Sequence, residues 1–224
     1  MASSTSVFTG SIGLLPPRLQ AAAAGGYYTV TNPTPGTGVV CGTVTAFSAT
    51  ADGLFTISNS GSRTIYLDAL TLMMSGTAPT ATTVQKIAVF LENGIVAPTG
   101  GNSVVTAKPV NPTAGGGSGA TVNVFVSAMC TIPAAVGART LVSNGSMPTS
   151  LGVTGDSYVY NFGGDPAQSG GQLTAARATA PARLVASCNP VSIPPGFTAI
   201  IDWWWIGQAT NGPTFEYEFG WFEF

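Results

Sequence analysis

Glu216 and Glu218 come nearest to a catalytic spacing in this chain of 224 residues. They stand in Phe215-Glu216-Tyr217-Glu218-Phe219. Strand alternation places the aromatics on one face and both carboxylates on the other, about 7 Å apart over two strand rises. The acid and nucleophile of a retaining glycosidase stand about 5–5.5 Å apart, so a carboxylate pair on a β-sandwich has the outline of such a site. No shaping Trp or Asp at a fixed spacing accompanies the pair, and a solvated or Arg-paired face is the plainer reading. Trp203-Trp204-Trp205 is the second constellation. Alternation sends Trp203 and Trp205 one way and Trp204 the other, with Asp202. Core on one side and subunit interface on the other accounts for the triplet, and a sugar-stacking platform at Trp204 is the functional alternative.

The remaining candidates carry less. Asp156, Asn161 and Asp165 offer oxygen ligands for Ca²⁺, but without EF-hand spacing, and turns favour Asp and Asn for backbone reasons. Asn144-Gly145-Ser146 matches the glycosylation pattern and doubles as a turn. Gly115–Gly119 lacks the Lys and Ser/Thr of a phosphate loop and reads as a flexible linker. Cys41, Cys130 and Cys188 are odd in number and lie in apolar segments, which fits buried, reduced thiols made in a reducing compartment.

Composition removes whole classes of chemistry. The chain has no histidine, so Ser-His-Asp and Cys-His nucleophile systems and His-ligated metals are out of reach. Seven scattered Lys and Arg against nine Asp and Glu give a net charge of −2, which argues against nucleic-acid binding. No cofactor is implied. Mean hydropathy is positive, yet the longest apolar run, Phe197 to Gly207, is broken by Asp202 and is far short of the ~20 residues of a spanning helix. A membrane partner is therefore not expected, and the N-terminal stretch lacks the basic segment of a secretory leader.

Strands must position whatever these residues do. Strand periodicity, turn signals, and 29 Thr and 20 Val predict roughly ten strands. They fall near Tyr27–Thr31, Val39–Ala49, Leu54–Ser58, Thr64–Ser75, Thr83–Leu91, Thr121–Ile132, Arg139–Ser143, Ser157–Phe162, Arg183–Cys188, Phe197–Ala209 and Thr214–Phe224. Over Thr64–Ser75, Ile65, Leu67 and Ala69 alternate with Tyr66, Asp68 and Leu70. Residues 97–119 and 163–182 read as long loops, and Gly145 as part of a turn. The expected fold is all-β, a jelly-roll-like antiparallel β-sandwich in a single domain over residues 27–224. Residues 1–26 form an extended N-terminal arm without a regular element, anchored by Val7, Phe8, Ile12, Leu14 and Leu15.

The closing pattern Ile193-Pro194-Pro195-Gly196-Phe197-Thr198-Ala199-Ile200-Ile201-Asp202-Trp203, a rigid corner feeding a long penultimate strand, resembles jelly-roll virion proteins. With the Ser/Thr-rich strands before it, the chain looks most like the decoration (cement) proteins of tailed-phage capsids. That resemblance implies a non-enzymatic homo-oligomer, often a trimer, made in the host cytoplasm and placed on the capsid surface. Its partners would be copies of itself and the capsid shell protein. The arm anchors above would grip the shell or a neighbour, and Trp204, Phe222 and Phe224 would pack subunits. A charge content of 7% fits surface covered by other subunits, because obligate interfaces are poor in charge and rich in aromatics. The alternatives on the same fold are a carbohydrate- or receptor-binding tail-associated protein and a jelly-roll capsid subunit.

Overall fold

The computed structural model of the protein describes residues 17–40, 53–76, 84–99, 102–113, 116–125, 132–133, 138–148, 154–163, 183–205 and 214–224. One helix, α1 (Pro17–Ala23), precedes the strands. These are β1 (Tyr27–Thr31), β2 (Val39–Val40), β3 (Gly53–Asn59), β4 (Ile65–Met74), β5 (Val84–Asn93), β6 (Asn102–Val105) and β7 (Lys108–Pro109). They continue with β8 (Ala120–Phe125), β9 (Arg139–Pro148), β10 (Ser157–Phe162), β11 (Arg183–Cys188), β12 (Ser192–Ile193), β13 (Phe197–Trp205) and β14 (Thr214–Glu223).

Two sheets form a sandwich. The first runs β11-β10-β4-β14-β1-β7, with β12 on β4 and β2 on β14; the second runs β6-β8-β3-β13-β5-β9. Within them lies a nested set of eight strands, β1, β3, β4, β5, β9, β10, β13 and β14. The first of the set pairs with the last (β1 with β14), the second with the seventh (β3 with β13), the third with the sixth (β4 with β10) and the fourth with the fifth (β5 with β9). That nesting, divided as β1-β14-β4-β10 and β3-β13-β5-β9, is the jelly-roll order. The segment between β5 and β9 adds β6, β7 and β8, that between β10 and β13 adds β11 and β12, and β2 comes from the segment between β1 and β3. One of them, β11, runs parallel to β10, an exception to the antiparallel rule.

Alternation builds the core between the sheets. β14 turns Phe215, Tyr217, Phe219 and Trp221 inward, all buried, and they meet Phe55 of β3 and Trp203 of β13. The core is not wholly apolar. Tyr160 of β10 donates to Gln85 Oε1 of β5 at 2.8 Å and accepts from Trp203 Nε1 at 3.0 Å, a buried chain that joins the two sheets. Such groups fix one alignment of the sheets, since an orphaned partner would cost about 1–3 kcal/mol. The Pro-Pro-Gly corner is a tight turn: Phe197 N–H donates to Pro194 O at 3.1 Å, and Gly196 has φ +83°. Pro before Gly is the type II preference.

Several expectations are corrected. Residues 17–23 of the arm are helical: Pro17 opens α1, where its missing N–H costs nothing, and Gly25 (φ 75°) closes it. Gly26 N–H reaches Ala21 O and Gly25 N–H reaches Ala22 O, the Schellman pattern. Val7, Phe8, Ile12, Leu14 and Leu15 lie outside the described residues. The expected loop 97–119 contains β6 and β7, and Gly116–Gly119 is docked rather than free. Gly116 O accepts from Tyr28 Oη, and Gly119 N–H donates to the buried Glu223. Asn144-Gly145-Ser146 lies within β9, where Gly145 admits Cys188 Sγ; a Cβ there would come within 2.8 Å of it. In β4 the alternation breaks after Asp68. A register shift opposite Gly220/Trp221 leaves Leu70, Leu72 and Met74 in the core, and Leu70 does not share a face with Tyr66. A one-residue bulge of this kind re-aims the side chains beside it.

Candidate functional site

The bulged stretch of β4 opens onto a groove of about 600 Å³ on the outer face of the first sheet. Val159 and Val185, from the parallel pair β10 and β11, contribute to its apolar lining, with Ala69 and Gly220 opposite. Charge enters from four elements: Arg18 on α1, Asp68 on β4, Arg183 on β11 and Glu218 on β14. Two positive and two negative side chains leave the groove formally neutral. Asn161 and Thr71 add an amide and a hydroxyl.

One end of the groove is a fixed triad. Asp68 Oδ2 accepts from Arg18 Nε at 2.6 Å and from Tyr27 Oη at 2.8 Å. Both donors fall on the same oxygen, so Oδ1 keeps its lone pairs for another donor. Tyr27 reaches Asp68 by crossing Gly220 of the neighbouring strand. A Cβ at residue 220 would overlap the phenol oxygen and lie 2.9 Å from Cζ, so only glycine admits the ring there. Burial, then the hydrogen bond to Asp68 and its negative charge, push the Tyr27 phenol well above its ordinary pKa. It is a hydrogen-bonded donor throughout the physiological range. The side chains of Arg183, Asn161 and Glu218, which line the groove, make no hydrogen bond or ion pair with other described residues, which leaves them available to a ligand.

Beside the groove runs an aromatic ridge. Tyr27 packs on Phe222 with ring centroids 4.9 Å apart, Phe222 stacks on Phe224 at 6.0 Å, and Phe224 meets Tyr66 at 6.1 Å. The ridge is open at its far end, where Phe224 is 67% and Tyr66 43% exposed. Met73, also 43% exposed, lies seven residues along β4 from Tyr66, on the far side of the groove residues Asp68 and Thr71. Phe222 and Phe224, singled out from the sequence, are thus brought together; Phe222 is half-buried against Tyr27 of its own chain, and Phe224 is largely exposed.

The other sequence candidates disperse. Glu216 and Glu218 share the outer face of β14, as alternation requires, but Glu216 accepts from Gly36 N–H at 3.0 Å and does not line the groove. The two carboxylates therefore do not share a cleft. Trp203 is core, while Trp204 pairs with Lys86 through the backbone and its side chain lies outside the described set, like that of Trp205. Asp156 is buried and accepts from Tyr158 Oη, Asn161 faces the groove, and Asp165 lies outside the described residues. Among the described residues no cluster of Cys, Asp and Glu is placed to hold a metal ion, and no helix is long and apolar enough to cross a membrane. Cys188 is a buried free thiol whose pKa burial pushes up to about 11; Cys41 and Cys130 lie outside the described residues. The Arg18–Asp68–Tyr27 triad was not foreseen: its carboxylate lies 41 positions from its tyrosine, and Asp and Tyr on strands give no local signal. Comparison with protein-family models, curated proteins and solved structures gave no match.

Proposed function

We propose that the protein is a virion structural protein, a capsid decoration or cement protein that assembles with copies of itself and stabilises a shell. The observation that carries this reading is the open aromatic ridge Tyr27–Phe222–Phe224–Tyr66 on a charge-poor jelly roll. Large exposed aromatics in a continuous strip mark a surface made to be covered. The jelly-roll order supports it at the level of fold, since viral capsid domains use that order, as do lectins. The seven Lys and Arg are scattered along the sequence, without the clustering that nucleic-acid partners require. In this account Phe222, Phe224 and Trp204 pack subunits, while Val7, Phe8, Ile12, Leu14 and Leu15 anchor the N-terminal segment to the shell. Stabilisation follows by mass action, because a ligand that binds only the assembled shell raises the cost of disassembly.

The test combines self-association with shell binding. Full-length protein is followed by sedimentation velocity at micromolar concentration, and is then added in excess to shells assembled from a co-encoded capsid protein before heating. Assembly into a discrete oligomer, and a shell melting temperature that rises with added protein, support the proposal. A monomer that leaves shell melting unchanged refutes it. A chain that forms closed shells by itself is a capsid subunit instead.

A further inference from the structure

The geometry points to the outer groove of the first sheet as a binding site for a neutral saccharide, recognised through vicinal hydroxyls by Asp68, Arg18, Asn161, Arg183 and Glu218. This inference is independent of assembly, since the groove is built within one chain.

Three properties select the ligand class. The first is charge. Arg18 and Arg183 are balanced by Asp68 and Glu218, so a polyanion gains nothing from the cations that it does not lose to the carboxylates, and a polycation is in the mirror position. The second is the form of the polar groups. Carboxylates, guanidinium groups and a carboxamide are planar and two-pronged, suited to adjacent hydroxyls that each donate one hydrogen bond and accept another. Asp68 Oδ1 is left without a donor among the described residues, because Oδ2 takes both Arg18 Nε at 2.6 Å and Tyr27 Oη at 2.8 Å. The third is preorganisation. Tyr27, seated over Gly220, donates to the same Asp68 oxygen that Arg18 Nε binds. The acceptor is thus oriented before a ligand arrives, which removes an ordering cost that weak polar ligands cannot offset.

Peptide ligands fit poorly for reasons that the topology supplies. Strand addition needs an unpaired edge, and β10, β4 and β14, which carry most of the groove, are each paired on both sides. An amphipathic helix or a Pro-rich segment needs an apolar or aromatic-lined trough, whereas this groove is lined by four ionised groups and an amide. A phosphorylated peptide needs an arginine cluster without carboxylates beside it. Buried Val159 and half-buried Val185 form the floor beneath these polar groups.

The experiment uses full-length protein on an array of neutral mannose-, glucose- and galactose-terminated oligosaccharides with sialylated and sulfated ones beside them. Hits are then titrated by saturation-transfer NMR. Retention of neutral glycans is the expected result. Glu218→Gln and Arg183→Gln, both at exposed positions, should each weaken binding about tenfold, the cost of a hydrogen bond to a charged group. Asp68→Asn should weaken it at least as much, while Glu216→Gln, on the same strand but outside the groove, should leave it unchanged. Circular dichroism and thermal melting of each variant separate loss of the site from loss of the fold. Absence of any neutral hit, hits confined to sialylated or sulfated glycans, or neutral binding that survives Glu218→Gln and Arg183→Gln in folded protein would each overturn the inference.

Discussion

The outer faces of the two sheets are finished in opposite ways. On the second sheet, Ala88, Phe90 and Ile200 are sealed by Val96 and Ile132 into a small second core. Beside it Arg139 pairs with Glu92 through Nε at 2.7 Å and again through Nη2, and Nη2 also donates to Pro133 O at 2.9 Å. Thr198 extends the closure by accepting from Val96 N–H and donating to Gly94 O. Val96 and Ile132 cover part of this face, and the buried Glu92 carboxylate is paired with Arg139. On the first sheet, charged groups line an open groove and aromatic rings stand exposed beside it. Of 16 charged residues in the chain, four surround one groove, and the neighbouring ridge ends in exposed Phe224 and Tyr66. This difference is why the proposed assembly and ligand surfaces are both assigned to the first sheet.

Ion pairs give the sharpest way to break this contrast. Arg139→Ala leaves Glu92 buried and uncompensated and should cost about 3–5 kcal/mol, read as a lower urea midpoint. Arg18→Ala removes the other ion pair, in which Arg18 is half exposed, and should cost less than about 1 kcal/mol. Equal losses would mean that the two faces are not finished differently. Gly220→Ala comes next. Its methyl displaces Tyr27, so about 1–3 kcal/mol of stability should be lost, together with the orientation of Asp68. Phe224→Ser should change protomer stability by less than about 0.5 kcal/mol, yet weaken self-association about tenfold or more, since exposed aromatics at an interface centre act as anchors. A further expectation concerns alkaline pH. Burial raises Cys188 from 9.0 to about 11 and Tyr217 from 10.0 to about 12. Both groups favour the protonated form in the fold, so their contribution is intact below pH 9 and declines as the unfolded chain ionises first. Stability measured by denaturant titration should fall progressively between pH 9 and 12, and a Cys188→Ala variant should lose the lower part of that slope.

Short strands rich in aromatic and β-branched residues and bounded by turn signals were legible without coordinates. β1, β10 and β11 fall on the expected residues, and the inward aromatics of β14 follow from Phe215, Tyr217 and Phe219 alone. α1 also carried its signals, a Pro at the first turn and Gly25-Gly26 after the last, but four alanines among small residues suggested an arm. The bulge at Asp68 was not legible, because an Asp between Leu67 and Ala69 continues the alternation as well as breaking it. Its position depends on the register with Gly220/Trp221, about 150 residues away in the chain and therefore invisible to local periodicity. The groove inherits that blindness. Arg18, Asp68, Arg183 and Glu218 are neighbours only because the jelly-roll nesting brings β4, β14 and β10 side by side. Glu92 and Arg139 meet in the same way across β5 and β9.

Hydroxyl-radical footprinting of the full-length protein, dilute and at assembling concentration, tests the central claim most directly. The account predicts that Tyr66, Met73 and Phe224, on the first sheet's outer face, become protected on assembly, while Val104 and Leu141, exposed on the second sheet, react as before. Protection of Val104 and Leu141 with Tyr66, Met73 and Phe224 unchanged, or no protection at any concentration, would contradict it.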